Sequence, residues 1–287
     1  MAPRAAAWHG SSATRMSRHE PDIDTVTRLV IGVARDVVLP RFRALGASDV
    51  ESKPSAGHRD DIVTVADREA EDRLSAGLAE ILAAPVIGEE ATHADPGLLR
   101  LLDRDGPVWI VDPIDGTKNF AAGRDGFGIM VGLAVGGEMR AAWIHLAARG
   151  ETFVAARGAG ATLNGARVRV PERVPDGQLR GALFARFMPP AVRELVATRT
   201  RGRFHMVPQP GAAAIEYTDI LAGRRDFAVF HRLLPWDHGA PALLLTEAGG
   251  AVVHADGRPY GVRSADEPTI AARHADVAAT VCSWLAG

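Results

Sequence analysis

The segment Trp109 to Phe120, WIVDPIDGTKNF, holds residues whose types and spacing could do chemistry. The apolar run Val108 to Val111 reads as a buried strand stopped at Asp112 and Pro113, and Asp115 follows three residues after Asp112, ahead of Gly116 and Thr117. Two carboxylates in one turn repel each other unless a cation lies between them, and oxygen-only ligands suit a hard ion such as Mg²⁺. Gly116 permits close backbone approach, and Thr117 can cap a following helix whose free N–H groups would face an anion. A phosphate beside a metal fits that spacing. Asp and Gly are also ordinary turn formers, so DxxDG by itself fits a turn without a ligand equally well.

Three further acidic places shift that balance. Glu89 and Glu90 terminate the run Val86-Ile87, Asp61 and Asp67 bracket DIVTVAD, and Asp237 follows Trp236 at the start of a helix. Each is an acid at the edge of an apolar element, where a rigid scaffold places ligands. Taken singly, each reads as a helix cap or a solvated loop acid. Together with DPIDGT they are hard to dismiss as caps and loop acids.

The elements that must position these acids are legible in outline. Apolar spacing from Asp22 to Phe42 predicts a first helix ending near Pro40, and a second helix runs from Thr64 to Leu82 with acids in its early turns. The stretch Gly46 to Asp60 has no period and reads as a mobile loop. Phe127 to Val135, Arg140 to Leu146 and Glu151 to Ala156 form a β meander, with turns marked by Gly158, Gly160, Asn164 and Gly165. Beyond Pro175, strands at Gly181–Phe187, Phe204–Val207 and Asp226–Phe230 alternate with helices at Pro190–Thr198 and Ala213–Ala222. A last clear helix from Asp237 to Ala248 is closed by Gly249-Gly250. The organisation expected is an extension over 1–19, an α+β half over 20–170 carrying most of the acids, and an α/β half over 171–287 that completes the site.

Composition narrows the classes. The 287 residues suffice for a sizeable core, and 47% hydrophobic with 24% charged residues excludes collagen-like, coiled-coil and disordered chains. A formal charge of -2 gives no electrostatic reason for nucleic acid or an anionic membrane to bind. No apolar run approaches the roughly 20 residues of a membrane span. One cysteine, Cys282, cannot form an intramolecular disulfide, and a reducing, cytoplasmic location is expected.

Read in order, DIVTVAD (61–67), GEE (88–90), WIVDPIDGTKNF (109–120), GAGATLNG (158–165) and PWDHGAPALLLTEAGG (235–250) resemble the signature blocks of the inositol monophosphatase family, lithium-sensitive Mg²⁺-dependent phosphomonoesterases. The resemblance covers about residues 22 to 280. It implies a layered αβαβα sandwich of the type shared with fructose-1,6-bisphosphatase, a homodimer, and two or three Mg²⁺ ions. The metal ligands it implies are Glu89, Asp112, the carbonyl of Ile114, Asp115 and Asp237, with Glu90 near a weaker third ion. Asp67 and Thr117, with Glu89, correspond to the groups that accept a proton from the attacking water and aim it. Gly116 and Thr117 correspond to phosphate binders, and Asp115 and Asp237 also line the substrate. The implied reaction is direct hydrolysis without a covalent phosphoenzyme.

Departures from the family pattern bear on the substrate. Inositol-phosphate enzymes carry a Glu seven residues before the WD aspartate, where this chain has Phe230, followed by His231 and Arg232. Those two fit a more anionic or aromatic substrate, or a solvated loop, equally well. Pro241 stands where a small residue is usual and is expected in the first turn of its helix. Either Lys53 or Lys118 could meet phosphate. Inositol 1-phosphate is the default substrate; histidinol phosphate, 3′-phosphoadenosine 5′-phosphate and fructose 1,6-bisphosphate are alternatives. A mainly regulatory binding protein, an alternative raised because some relatives also contact the transcription machinery, ranks below because every ligand position is intact. A dinucleotide site at GAGATLNG fails, since its glycines do not follow GxGxxG.

Overall fold

Asp22 sets the start of the chain's first helix, α1 (Ile23–Val33), by accepting the N–H of Asp24 at 3.1 Å and the hydroxyl of Thr25 at 2.5 Å. The structure is a computed structural model that describes residues 21–53, 61–172 and 177–287. The extension expected over 1–19 lies outside the described residues. The helical course continues through a π-turn at Ala34–Val38 and a 3-10 turn at Leu39–Arg41, so it ends near Pro40 as the spacing predicts. The polar stretch that follows is not wholly loop. Val50–Ser52 forms β1, paired antiparallel with β2 (Ile62–Thr64). A two-stranded ribbon satisfies its backbone without burying a full face, so no apolar alternation announces it. Strand β2 passes directly into α2 (Val65–Ile81) through a capping box in which Asp67 accepts the N–H of Thr64 at 2.8 Å.

The larger sheet has seven strands in sequence order: β3 (Val86–Gly88), β4 (Pro107–Asp115), β5 (Gly128–Val135), β6 (Glu138–Leu146), β7 (Glu151–Ala156), β8 (Gly160–Leu163) and β9 (Ala166–Val168). Strands β3 and β4 are parallel and every later pair is antiparallel, which is the expected meander. Short helices α3 (Glu89–Ala94) and α4 (Thr117–Ala121) leave β3 and β4 at the same end of the sheet. Alternation along β4 divides the core. Trp109 and Val111 pack with α1 and α2, while Val108 and Ile110 pack with α6 (Ala213–Leu221) and α7 (Pro235–Glu247).

Five strands form the second sheet, in the order β11 (His205–Met206), β10 (Arg180–Leu183), β12 (Phe227–Phe230), β14 (Thr269–Ala272), β13 (Ala251–His254). Its β10, β11 and β12 are mutually parallel where paired, and β14 is antiparallel to both neighbours. Ala228, Phe230 and Ala271 join the core around α6 and α7, whereas Phe227, Val229 and Ile270 pack outward with α5 (Pro190–Thr200) and α8 (Ala275–Ala286). The layers are therefore α, β, α, β, α: the α+β sandwich expected. Strands β13 and β14 and helix α8 lie beyond the last helix that the spacing predicts. Helix α8 is rich in Ala and buries Val277, Ala278, Val281 and Leu285, a stripe that small residues on the other faces blur. No helix among the described residues is long and apolar enough to cross a membrane.

Leu74 of α2 is fully buried against the larger sheet. Leu74→Ala is expected to lower unfolding free energy by about 2–5 kcal/mol, measured by urea denaturation.

Candidate active site

Strand β4 does not stop at Asp112 but runs through Pro113 to Asp115, and this continuation is what assembles the site. Asp112 pairs with Met130 and Asp115 with Gly128, so β4 holds one residue more than β5 over that interval, a β-bulge. In an unbroken strand, residues three apart point to opposite faces; the extra residue lets both carboxylates reach one place. Pro113 has no N–H to offer a ladder and is tolerated where the ladder is interrupted. Gly116 then turns the chain at φ +85°, and a Cβ there would lie 2.8 Å from the Gly126 carbonyl oxygen and 2.9 Å from the Ala212 Cβ. Thr117 is the first residue of α4, with Gly116 as its cap, rather than the cap itself.

Asp237, in the first turn of α7, completes a triad. Carboxylate oxygens of Asp112, Asp115 and Asp237 lie within 4.8 Å of one another. Asp115 is anchored across the layers by the N–H groups of Ala213 and Ala214 at 3.1 and 2.6 Å, at the start of α6. Asp112 Oδ1 is buried and has no hydrogen-bond partner among the described residues. Burial, followed by repulsion from Glu89, Asp115 and Asp237, holds the Asp112 carboxyl well above the usual carboxylate range. Burial likewise pushes Asp115 up to about 7 and Asp237 up to about 8, against the opposing pull of the α6 N–H groups on the first and of Arg232 on the second. A set of carboxylates at that cost fits a hard divalent cation, which the partnerless Asp112 oxygen and the all-oxygen donor set also favour.

Of the remaining acids, Asp67 and Glu89 lie close enough to the triad to act on Asp112. Asp67 is fully buried; Oδ2 accepts from the Thr64 N–H and hydroxyl, at 2.8 and 2.5 Å, and Oδ1 lies 3.1 Å from the Thr117 hydroxyl. That hydroxyl is also 3.0 Å from the Ile114 carbonyl. Burial raises Asp67 to about 7, with Glu89 and Glu90 adding to the rise. Glu89 and Glu90 open α3 and share Lys53, whose Nζ is 3.1 and 2.7 Å from their carboxylates. Lys118 instead meets Asp61 at 3.2 Å. One supporting residue escaped the sequence reading. Glu71 accepts the N–H groups of Glu90 and Ala91 at 2.8 Å each and so fixes the start of α3; burial raises its carboxyl to about 7. Gly88 makes room for it, since a Cβ there would lie 2.3 Å from the Glu71 carboxyl carbon. The only signal in sequence is Glu71 four residues after Asp67, on the same helix face.

On the β12 side, the solvated-loop alternative for His231 and Arg232 does not hold. His231 is nine-tenths buried, and the Arg232 guanidinium lies 3.9 Å above the Phe187 ring and 4.0 Å from Asp237. Phe230 stacks on Phe184 and Tyr217, with ring centres 4.5 and 5.5 Å apart, and meets His238 edge-on. It belongs to a closed aromatic cluster. Pro241 lies in the second turn of α7, not the first, because the helix begins at Pro235. Having no N–H, it leaves the Asp237 carbonyl four residues earlier without its intrahelical donor.

The sequence matches the inositol monophosphatase family over residues 21–284. The chain belongs to that family. It is 34% identical over 200 residues, 69% of this chain and 73% of the relative, to the fructose-1,6-bisphosphatase/inositol-1-monophosphatase of Thermotoga maritima. It is 32% identical over 220 residues, 74% of this chain and 78% of the relative, to the Nus factor SuhB of Pseudomonas aeruginosa. Among solved structures, an IMPase of Thermotoga maritima superposes with a TM-score of 0.74 at 27% identity, covering 92% of this chain and 97% of that one. As a member of the inositol monophosphatase family the chain is a phosphoric monoester hydrolase, and the acidic triad lies within the family match.

The raised carboxyls fix the sign of a pH dependence. Each contributes stability that is complete below the ordinary value of 3.8 and is lost as pH climbs through about 7 for Asp115 and about 8 for Asp237. In EDTA, Asp237→Asn should therefore gain thermal stability relative to the unsubstituted protein as pH is raised from about 5 to about 8. A difference in melting temperature that does not change with pH would contradict the assignment.

Proposed function

We propose that this inositol monophosphatase family member is a Mg²⁺-dependent phosphatase of a small phosphomonoester. The buried Asp112 Oδ1, without a partner among the described residues, inside the Asp112-Asp115-Asp237 triad is the observation that carries the reading. Asp112, Asp115, Asp237, Glu89 and the Ile114 carbonyl would hold two or three ions. Bound there, the ions supply charge neutralisation for the phosphoryl group and the leaving oxygen, and acidify the attacking water.

The chain's own residues do the rest. Thr117 accepts a hydrogen bond from the attacking water while its hydroxyl proton is directed to Asp67 Oδ1, 3.1 Å away. A carboxyl raised to about 7 is matched to proton acceptance near neutral pH. Glu89, held by Lys53, is the second acceptor on that side. The N–H groups of Gly116 and Thr117 face the phosphate ahead of the first α4 bond, from the Asn119 N–H to the Gly116 carbonyl at 2.8 Å. Asp115, Asp237, His231 and Arg232 line the side that receives the rest of the substrate. Inositol 1-phosphate is the default. Phe230, where the family resemblance implies a hydroxyl-reading Glu, weakens that default in favour of histidinol phosphate, 3′-phosphoadenosine 5′-phosphate or fructose 1,6-bisphosphate. A cytoplasmic homodimer belongs to the same reading, and free Cys282 fits a reducing compartment.

Phosphate release from these four compounds, with and without Mg²⁺ and Li⁺, tests the proposal. At least one should be hydrolysed only with Mg²⁺ and be inhibited by Li⁺. Asp112→Asn should lower kcat/KM by about two orders of magnitude or more, and Glu90→Gln by much less. Release that is indifferent to Mg²⁺ or to Asp112→Asn would overturn it.

A further inference from the structure

We propose that the carboxyl ends of β10 and β12 form an anion-binding fork beside the acidic triad, so that the substrate carries a second anionic group, a carboxylate or a phosphate, besides the ester that is cleaved. The identity of the bound molecule as a substrate rests on the phosphatase reading above. Strands β10 and β12 run parallel with Leu183 beside Val229, so their carboxyl ends open together, on the side where parallel sheets receive ligands. Arg186 follows β10 in the 3-10 turn Ala185–Phe187, and Arg232 follows β12. Both guanidinium carbons lie within 5.4 Å of the centre of the Phe187 ring, Arg232 at 3.9 Å. Packing on an aromatic face orders a planar cation while leaving its edge N–H groups free.

Those edges are unspent. Among the described residues neither guanidinium donates a hydrogen bond; Arg186 lies 3.6 Å from Asp61 and Arg232 4.0 Å from Asp237, both too far for one. By contrast, two buried arginines commit their guanidinium ends to carboxylates, Arg225 reaching Glu216 at 2.9 and 2.7 Å and Arg273 reaching Asp226 at 2.8 Å, although the Nε of each has no partner among the described residues. An arginine serving only to neutralise Asp237 would close the same contact. His231, at the same strand end, adds a buried Nδ1 without a partner among the described residues. Arg232 borders the triad and Arg186 shares its Phe187 ring, and two such forks suit a carboxylate or phosphate, which each can bind with two parallel hydrogen bonds. Phe230, sealed in its aromatic cluster, offers no competing reader of hydroxyl groups.

Two matched pairs test this. Fructose 1,6-bisphosphate adds a phosphate to fructose 1-phosphate, and 3-phosphoglycerate puts a carboxylate where glycerol 3-phosphate has a hydroxymethyl group; the pair that responds identifies the anion. The doubly anionic member of at least one pair should have a kcat/KM about tenfold or more higher, through KM. Arg186→Gln and Arg232→Gln should each collapse that ratio, Arg186→Gln with the melting temperature unchanged, and Arg186→Lys should restore it only in part. Arg186 is exposed over 43% of its side chain, so its replacement does not threaten folding. Equal kcat/KM within both pairs, or a preference untouched by either Gln variant, would overturn the fork while leaving the phosphatase reading standing. If none of these four is hydrolysed, calorimetric Kd values for them with Mg²⁺ decide the fork by the same ratios and variants, and the phosphatase reading stands or falls separately with the substrates named for it above.

Discussion

Burying several carboxylates at one point is the constraint on which the rest of the molecule depends. Desolvation and mutual repulsion both oppose it, and each acid of the triad is pushed up from the ordinary carboxylate range as a result. Native packing must therefore over-determine their positions. Asp115 is tied to α6, Asp112 is carried by a strand of the larger sheet paired on both sides, and Asp237 stands on a helix sandwiched between the two sheets. The stability spent on the site is recovered elsewhere, in three apolar clusters that bind the five layers.

The same constraint explains the backbone irregularities near the triad. The bulge in β4 re-aims two acids that an ideal strand would separate, and Gly116 lets the chain pass Gly126 and Ala212 too closely for any side chain. Gly88 serves Glu71 in a comparable way, and Pro241 frees a carbonyl on the very residue that completes the triad.

Much of the site was legible in the sequence because chemistry concentrates in short motifs: DPIDGT, GEE and WD each stand at the end of an element whose period is clear, and the layered fold follows from the family they resemble. What stayed hidden depends on contacts between distant segments. The continuation of β4 past Asp112 could not be read, since Pro113 normally ends a strand and only pairing with β5 reveals the bulge. Glu71 looks like any acid on an exposed helix until α3 docks against it. The stacking of Arg186 and Arg232 on Phe187 joins residues some 45 positions apart and leaves no local pattern. Strand β1 and helix α8 were obscured for a different reason, having too little apolar contrast to show a period.

The role proposed for the triad is to hold a divalent cation. Calorimetric titration of the metal-free protein with Mg²⁺ near pH 7.5, repeated in buffers of different ionisation enthalpy, tests it most directly, because partly protonated carboxylates must give up protons as the ion enters. The account predicts saturable binding with release of on the order of one proton per chain, both lost in Asp112→Asn. Absence of binding, or binding that releases no protons and survives Asp112→Asn, would contradict it.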